Sequence, residues 1–431
     1  MVKKLAARLH SRLGDFWWYA MILFIASRAA DGLNAFIGIW LVPRYVEPSE
    51  LGAVMPLLNF AGIIAMPIGV FAATFRNELT ALASEGRYGE MKSLMRGVFI
   101  AAAIFMAFSV VACKIALPVF LEKIRIVEGS LGMLILAASF TGAIAPVYQN
   151  ALQALKKFKS ISIINLLGAP IRFVAMVLAM PLRPLSGYFV GQAATPAFNI
   201  AASLFFLRKE LAVKAKPYWC RATSMRFSRL FVMLAIGSLA GGLAGLVETT
   251  VMRQNLPAVE SAGYYMVTRF SDIAGFLAAA LVYTLFPFAA EMNAKGHDSR
   301  PLIFKICAAI FAFSALLAVV FWIFGEPILA AMPHGEEYAR YWWAIPWMIG
   351  VATLCNMTAT YTTAEVAANR FGYYLWFIPV TLAYPAALAL AADRISSLSE
   401  ILCWITVFHV IRLAGCVLTM LMPRRGKPAT A

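Results

Sequence analysis

Residues 208–229, RKELAVKAKPYWCRATSMRFSR, form the longest polar interval in a 431-residue chain that is 62% hydrophobic with a mean hydropathy of +0.77. Seven of these 22 residues are basic (Arg208, Lys209, Lys214, Lys216, Arg221, Arg226 and Arg229), against the single acid Glu210. About 200 residues lie on either side, and each flank reads as six membrane spans. The segment is therefore expected to be a cytoplasmic basic linker (208–229) between an N-lobe, 1–207, and a C-lobe, 230–431.

Composition supports the membrane reading. A soluble chain is about a quarter charged; this one is 13% charged. Its apolar runs of 18 to 26 residues are each long enough to cross a hydrocarbon core of about 30 Å. The spans are placed at 17–42, 51–75, 97–121, 131–152, 161–181 and 185–207, then at 230–252, 263–288, 301–325, 341–362, 371–392 and 398–421. The formal charge of +16 does not require nucleic acid as a partner, because basic residues gather in loops that stay in the cytoplasm and meet anionic lipid headgroups. Of the 37 Lys and Arg, 24 fall in segments on the N-terminal side of the membrane and seven on the other. Both termini are thus expected in the cytoplasm. The start, MVKKLAARLHSRLGDFWW, is basic, but the apolar stretch after it is too long for a signal peptide and is expected to remain as the first span.

No enzyme chemistry is legible. The six cysteines are scattered without a CxxC, and five fall inside spans, so they read as small buried hydrophobes. The four His are far apart, so no metal site is expected. The longest outer loop, about 326–340, has 15 residues, too few for a catalytic domain. Function is expected between the helices.

The two halves also resemble each other at an offset of about 210 to 213 residues. VPRYVEPSELGAV answers MRQNLPAVESAGYY, aligning Gly52 with Gly263. FRNELTALASEGRYGEM answers FPFAAEMNAKGHDSRPL, aligning Gly86 with Gly296, and Phe158 answers Phe371. An even number of spans per half makes the repeats parallel, related by an axis along the membrane normal.

Charges inside the spans mark the candidate site. Arg28 and Asp31 sit near the middle of WWYAMILFIASRAADGLNAFIGIWLV. Such a pair costs roughly 5–7 kcal/mol on insertion scales, while the ten Leu, Ile, Phe and Val of that span return about 3–6. At i and i+3 the two share a helix face. They are read either as a neutralised pair bracing the bundle or as a cavity wall, with Arg28 meeting an anionic substrate and Asp31 taking a proton or Na⁺. Arg172, in NLLGAPIRFVAMVL, has no acid nearby in sequence; it is read as a phosphate-binding group or as a partner of Asp31 or Asp272. Arg269 and Asp272 repeat the i, i+3 pattern, Glu248 lies near the outer end of span seven, and Arg412 sits beside His409 in span twelve. The expected substrate-binding set is Arg28, Arg172, Arg269 and Arg412; the expected ion-coupling set is Asp31, Asp272 and Glu248. The Arg excess suits an anionic solute.

Three stretches carry a family resemblance: EPSELGAVMPLLNF after span one, QALKKFKSISIINLLGAPIRF into span five, and AGYYMVTRFSDIAGFLAAALVYTLFPFAAEM through span eight. They resemble the polysaccharide and O-antigen (Wzx-type) translocases of the multidrug/oligosaccharidyl-lipid/polysaccharide (MOP) exporter superfamily. The resemblance implies an all-α, MATE-like integral membrane fold, with 12 transmembrane helices in two six-helix lobes around a central cavity. It implies that a polyprenyl-pyrophosphate-linked oligosaccharide is flipped across the bacterial inner membrane by rocking of the lobes. Proton or Na⁺ coupling would replace any bound cofactor, and membrane lipids and polysaccharide polymerase or assembly proteins would be the partners. The alternative left open is an ion-coupled multidrug or small-solute antiporter of the same superfamily. A major-facilitator reading lacks its Gly-Asp-Arg-Gly-Arg type signature in the second-to-third loop, RNELTALASEGRYGEMKSLMR.

Overall fold

The computed structural model describes residues 27–126, 131–218, 221–294, 297–368 and 370–422. The start of the first expected span, the N- and C-terminal tails, Cys220 and Gly296 lie outside the described residues. Within them the chain is helical, with no strand. Twelve long helices follow in order among these residues: α1 (27–45), α2 (Val54–Ser84), α3 (Tyr88–Lys123), α4 (Leu131–Ala154), α5 (Phe158–Ala179), α6 (Pro184–Leu211), α7 (Arg221–Asn255), α8 (Ala258–Ala294), α9 (Arg300–Ala330), α10 (Ala344–Ala367), α11 (Tyr374–Leu390) and α12 (Leu398–Leu421). Among the described residues eight stretches are long and apolar enough to cross a membrane on composition alone, and α11 is a shorter apolar helix. The chain is a multi-pass membrane protein. α1 widens to a π-helix over Ile37–Leu41, the kind of local distortion that frequently accompanies functional sites.

Helices end where the backbone can turn left-handed. Gly86 (φ 69°), Arg125 (φ 60°) and Lys156 (φ 55°) each follow a helix. In each case the next residue's N–H reaches back five residues, as from Arg87 to the Leu82 carbonyl at 2.9 Å and from Lys157 to that of Leu152 at 2.9 Å. These are Schellman closures, which satisfy carbonyls the helix leaves open. The same bond recurs from His297 to Met292 and from Arg370 to Glu365, both at 2.8 Å. Those pairs lie 210 and 213 residues further along the chain, close to the offset of the sequence repeat. Neighbour relations recur as well: α2 packs on α4, α4 on α6 and α5 on α6, as α8 packs on α10, α10 on α12 and α11 on α12.

The chain divides into two compact units, Met1–Gly242 and Leu243–Ala431, so the division lies inside α7 and not in the basic segment 208–229. Packing explains the difference. Phe227 and Phe231 on α7 meet Phe75 and Phe71 on α2, with centroids 4.4 and 4.5 Å apart. The stretch before α7 is also tied to the first unit. Lys92 donates to the carbonyls of Leu211 and Val213 (2.7 and 3.1 Å), the Lys216 N–H donates to Gly89 O (3.0 Å), and Tyr218 donates to Glu78 (2.6 Å). Lys157 donates to Phe206 O and pairs with Glu210 at 2.8 Å. Burial pushes the Glu210 carboxyl up, but the Lys157 hydrogen bond, a backbone hydrogen bond and the Lys157 and Lys209 charges together hold the group below its ordinary 4.5. Its contribution is therefore complete above that value and is lost only on acidification below it.

Gly86 has open space around its missing side chain but a left-handed φ. Gly86→Ala is accordingly expected to lower unfolding stability by about 1–2 kcal/mol through backbone strain alone, measurable as a lower denaturation midpoint in detergent.

Candidate functional site

Polar residues line the inside of the first unit in helical register. On α1 the face is Ser27, Ala30, Asp31 and Asn34; on α5 it is Asn165, Gly168, Ala169 and Arg172; on α6 it is Gln192, Thr195, Pro196 and Asn199. Each set is spaced i, i+3, i+4, i+7, which places four side chains on one helical stripe. α2 adds a fourth such stripe made of small or apolar residues, Leu58, Ala61, Gly62 and Ala65. The other side of α5, with Ile163, Leu166, Leu167, Val174 and Leu178, is exposed and apolar. This inverted amphipathicity, polar inward and apolar outward, suits a helix surrounded by lipid.

Two cavities lie between these stripes. The first, about 320 Å³, includes Asn34, Arg172, Gln192 and Thr195 in its lining, together with the small residues of α2 and α4. The second, about 260 Å³, is lined by Asp31, Asn34, Asn165, Thr195 and Asn199 among others. Asn34 and Thr195 belong to both. Gly168 permits the close packing: a Cβ there would sit 3.2 Å from Thr195 Cγ2, and Thr195 donates to the Gly168 carbonyl at 3.0 Å.

The two arginines of this unit's site are held differently. Arg28 pairs with Asp31 at 3.1 Å, with roughly a quarter to a third of each side chain exposed. Arg172 does not pair with Asp31. Its Nη1 donates to Asn34 Oδ1 at 3.0 Å, its guanidinium lies 5.9 Å from the Tyr188 ring, and its Nε is buried with no hydrogen-bond partner among the described residues. Asn199 Oδ1 is likewise a buried acceptor with no partner among them.

The second unit holds the other four candidates in three arrangements, two of them joined by an aromatic stack. Asp272, the other acid considered for Arg172, pairs instead with Arg269 at 3.1 Å, and Arg269 lies 5.4 Å from the Tyr265 ring. Glu248 accepts from two phenols, Tyr264 at 2.7 Å and Tyr384 at 2.9 Å. Arg412 rests over Phe377 (4.4 Å) and Phe408 (5.0 Å), and Phe408 stacks on Tyr384 at 4.1 Å. Cation–π contact of this kind stabilises a desolvated guanidinium by about 2 kcal/mol. His409, read with Arg412, keeps a buried Nδ1 with no hydrogen-bond partner among the described residues.

Charge counting missed the amides Asn34, Asn165, Gln192 and Asn199, and the tyrosines that hold Glu248. The signal was present: Asn34 falls three residues after Asp31, and Gln192, Thr195 and Asn199 share one stripe. The reading of the cysteines as buried needs correction. Cys113 and Cys416 are buried, Cys307 is half-buried, and Cys355 and Cys403 are exposed. Among the described residues no group of His, Cys, Asp and Glu is arranged to hold a metal ion.

No known family model matches the chain, and no curated protein matches it. Solved structures do. A multidrug resistance MATE family transporter of the MOP superfamily, in an inward-facing conformation, matches with a TM-score of 0.60 at 15% identity over 93% of this chain and 96% of that one. The lipid II flippase MurJ, in an inward closed conformation, matches with a TM-score of 0.68 at 12% identity over 93% of this chain and 88% of that one. The Vibrio cholerae MATE transporter VcmN, in its bent form, matches with a TM-score of 0.59 at 14% identity over 93% of this chain and 95% of that one. At such identities the likeness establishes the fold, which is MATE-like.

The Glu248 clamp is open to a direct check. Tyr384→Phe removes one of two donors from a carboxylate, a loss of about 1.5–3 kcal/mol, and is expected to lower the thermal unfolding midpoint of the purified protein; an unchanged midpoint would show that the bond contributes nothing.

Proposed function

We propose that the chain flips an anionic, polyprenyl-pyrophosphate-linked oligosaccharide across the bacterial inner membrane by alternating access, for assembly of surface polysaccharide such as O-antigen. The observation that carries the reading is Arg172: a guanidinium within a membrane helix, on the wall of a cavity where Asn34, Gln192 and Thr195 stand among small and apolar residues, with a neutral amide where an acid would cancel it. A planar donor fork in a water-poor site is well matched to phosphate oxygens. The amide and hydroxyl lining beside it, Asn34, Gln192 and Thr195, offers the donors and acceptors that sugar hydroxyls need. The fold shared with a lipid II flippase supports a lipid-linked substrate.

In this reading Arg28 also faces the substrate, and Arg269 and Arg412 are further anion-binding groups in the second unit. Asp31 is the coupling carboxylate, taking a proton or Na⁺ in the oxygen-rich second cavity, with Asp272 and Glu248 as further coupling groups. Membrane lipids surround the protein, and polysaccharide polymerase or assembly proteins receive its product. The 24-to-7 distribution of basic residues supports cytoplasmic termini. A second reading, an ion-coupled multidrug antiporter, is favoured by the likeness to MATE transporters; the excess of Arg over acid across the spans weighs against a cationic cargo.

Flipping of a fluorescent lipid-linked oligosaccharide in proteoliposomes tests the proposal. Arg172→Ala and Asp31→Asn are each expected to slow it about tenfold or more, the loss of one charge-assisted contact. Gly142 lines the first cavity and a Cβ there meets nothing within 4 Å, so Gly142→Leu is expected to block flipping without loss of stability. Normal flipping by both Arg172→Ala and Asp31→Asn would overturn the reading, and Asp31-dependent uptake of a cationic dye in its place would favour the antiporter.

A further inference from the structure

Asn34 is the residue the two cavities of the first unit have in common on α1. Its carbonyl oxygen accepts from Arg172 Nη1 at 3.0 Å across 138 positions of sequence. On the other side of Asn34, the second cavity presents the Asp31 carboxylate, paired with Arg28 at 3.1 Å, and Asn199 Oδ1, a buried acceptor with no hydrogen-bond partner among the described residues. Both groups are acceptors: Asp31 already takes one positive partner, and the Asn199 oxygen beside it leaves a place for a second. The polar side chain that holds Arg172 in the first cavity is thus also a wall of the neighbouring, cation-seeking one.

We infer that Asn34 is a relay that couples the two cavities: a cation held beside Asp31 and Asn199 draws the Asn34 carbonyl oxygen away from Arg172 and frees the guanidinium for an anionic group. This rests on the proposed binding of a pyrophosphate at Arg172 and adds the element that links it to the ion. The physical basis is competition for one oxygen. A guanidinium and a cation drawn to the same carbonyl repel each other, and an amide is neutral, so it releases either at small cost. A carboxylate at this place would hold Arg172 permanently. Asn34 is in regular α-helix, but the π-helical stretch Ile37–Leu41 begins less than one turn after it, so regular α geometry ends close to where Asn34 must shift. By linkage, the anion must strengthen cation binding by the same factor as the cation strengthens anion binding.

The test uses the full chain, purified in detergent, with inorganic pyrophosphate as the probe. Its Kd is measured by calorimetry in NaCl and in choline chloride at equal ionic strength, with Arg172→Ala as the control that assigns the site. Wild type is expected to bind about tenfold more tightly in Na⁺, within the usual range of coupling. Asn34→Ala frees Arg172 outright and is expected to bind tightly in both salts. Asn34→Asp ties Arg172 down and is expected to bind weakly in both. Opposite shifts from one position are not the signature of a merely structural residue. If wild type binds pyrophosphate through Arg172 but both Asn34 variants keep its affinity and its Na⁺ response, the relay is overturned while the substrate reading stands. Equal binding by wild type in the two salts overturns the coupling. If wild type binds no pyrophosphate, the substrate reading falls and the relay with it.

Discussion

A guanidinium cannot be left bare in hydrocarbon. Placing Arg at the centre of a membrane helix costs roughly 2.5–3.5 kcal/mol even on insertion scales, and more where water cannot reach it. Arg172 meets this constraint in an unusual way. Among the described residues no carboxylate neutralises it; an amide, an aromatic ring at 5.9 Å and a cavity that also holds Gln192 and Thr195 surround it. The arrangement keeps the charge available. It also dictates the rest of the first unit, because a charge that is not cancelled must be hydrated or bound, and the helices around it have to carry polar stripes where soluble proteins carry apolar ones.

Register is what turns that demand into structure. Four helices contribute stripes at i, i+3, i+4 and i+7: polar groups from α1, α5 and α6, and mostly small ones from α2. The small residues provide volume and the polar residues provide chemistry. Gly168 and Thr195 draw α5 and α6 together. Ser139 of α4 donates to the Ala61 carbonyl of α2 at 3.0 Å, so even a hydroxyl that lines the cavity ties two helices. The second unit meets the same constraint by other means. An ion pair covers Arg269, two phenols hold Glu248, and aromatic faces carry Arg412. Equivalent helix neighbours therefore support different interior chemistry, as expected of a duplicated scaffold whose halves have diverged.

Most of the fold could be read from the sequence, since span length and hydropathy respond directly to bilayer thickness and the described helices follow the expected spans. The internal repeat was legible from Gly86 and Phe158, and the Schellman bonds that recur 210 and 213 residues along supply its structural counterpart. The charged site residues were equally visible, because an Arg or Asp within an apolar run stands out. What could not be read was who partners whom. Arg172 finds Asn34 across 138 residues, and nothing local distinguishes that choice from Asp31. Neutral amides leave charge counts unchanged, so Asn165, Gln192 and Asn199 passed unnoticed although their helical spacing was in plain view. The division at Gly242 was hidden for a related reason: it depends on Phe227 and Phe231 packing on α2, a tertiary contact that outweighs the polarity of the preceding segment.

The central claim is that the polar stripes of the first unit enclose water. Cysteine accessibility tests it most directly, using Gln192→Cys and Thr195→Cys on the α6 stripe and Leu166→Cys and Leu178→Cys on the outer face of α5, in a background with the six native cysteines replaced. A charged, membrane-impermeant thiol reagent applied to inside-out and right-side-out vesicles is predicted to modify the α6 positions from at least one side, and to leave the α5 positions unmodified from both. Unreactive cysteines at 192 and 195 on both sides, with modification no faster than at 166 and 178, would contradict the account.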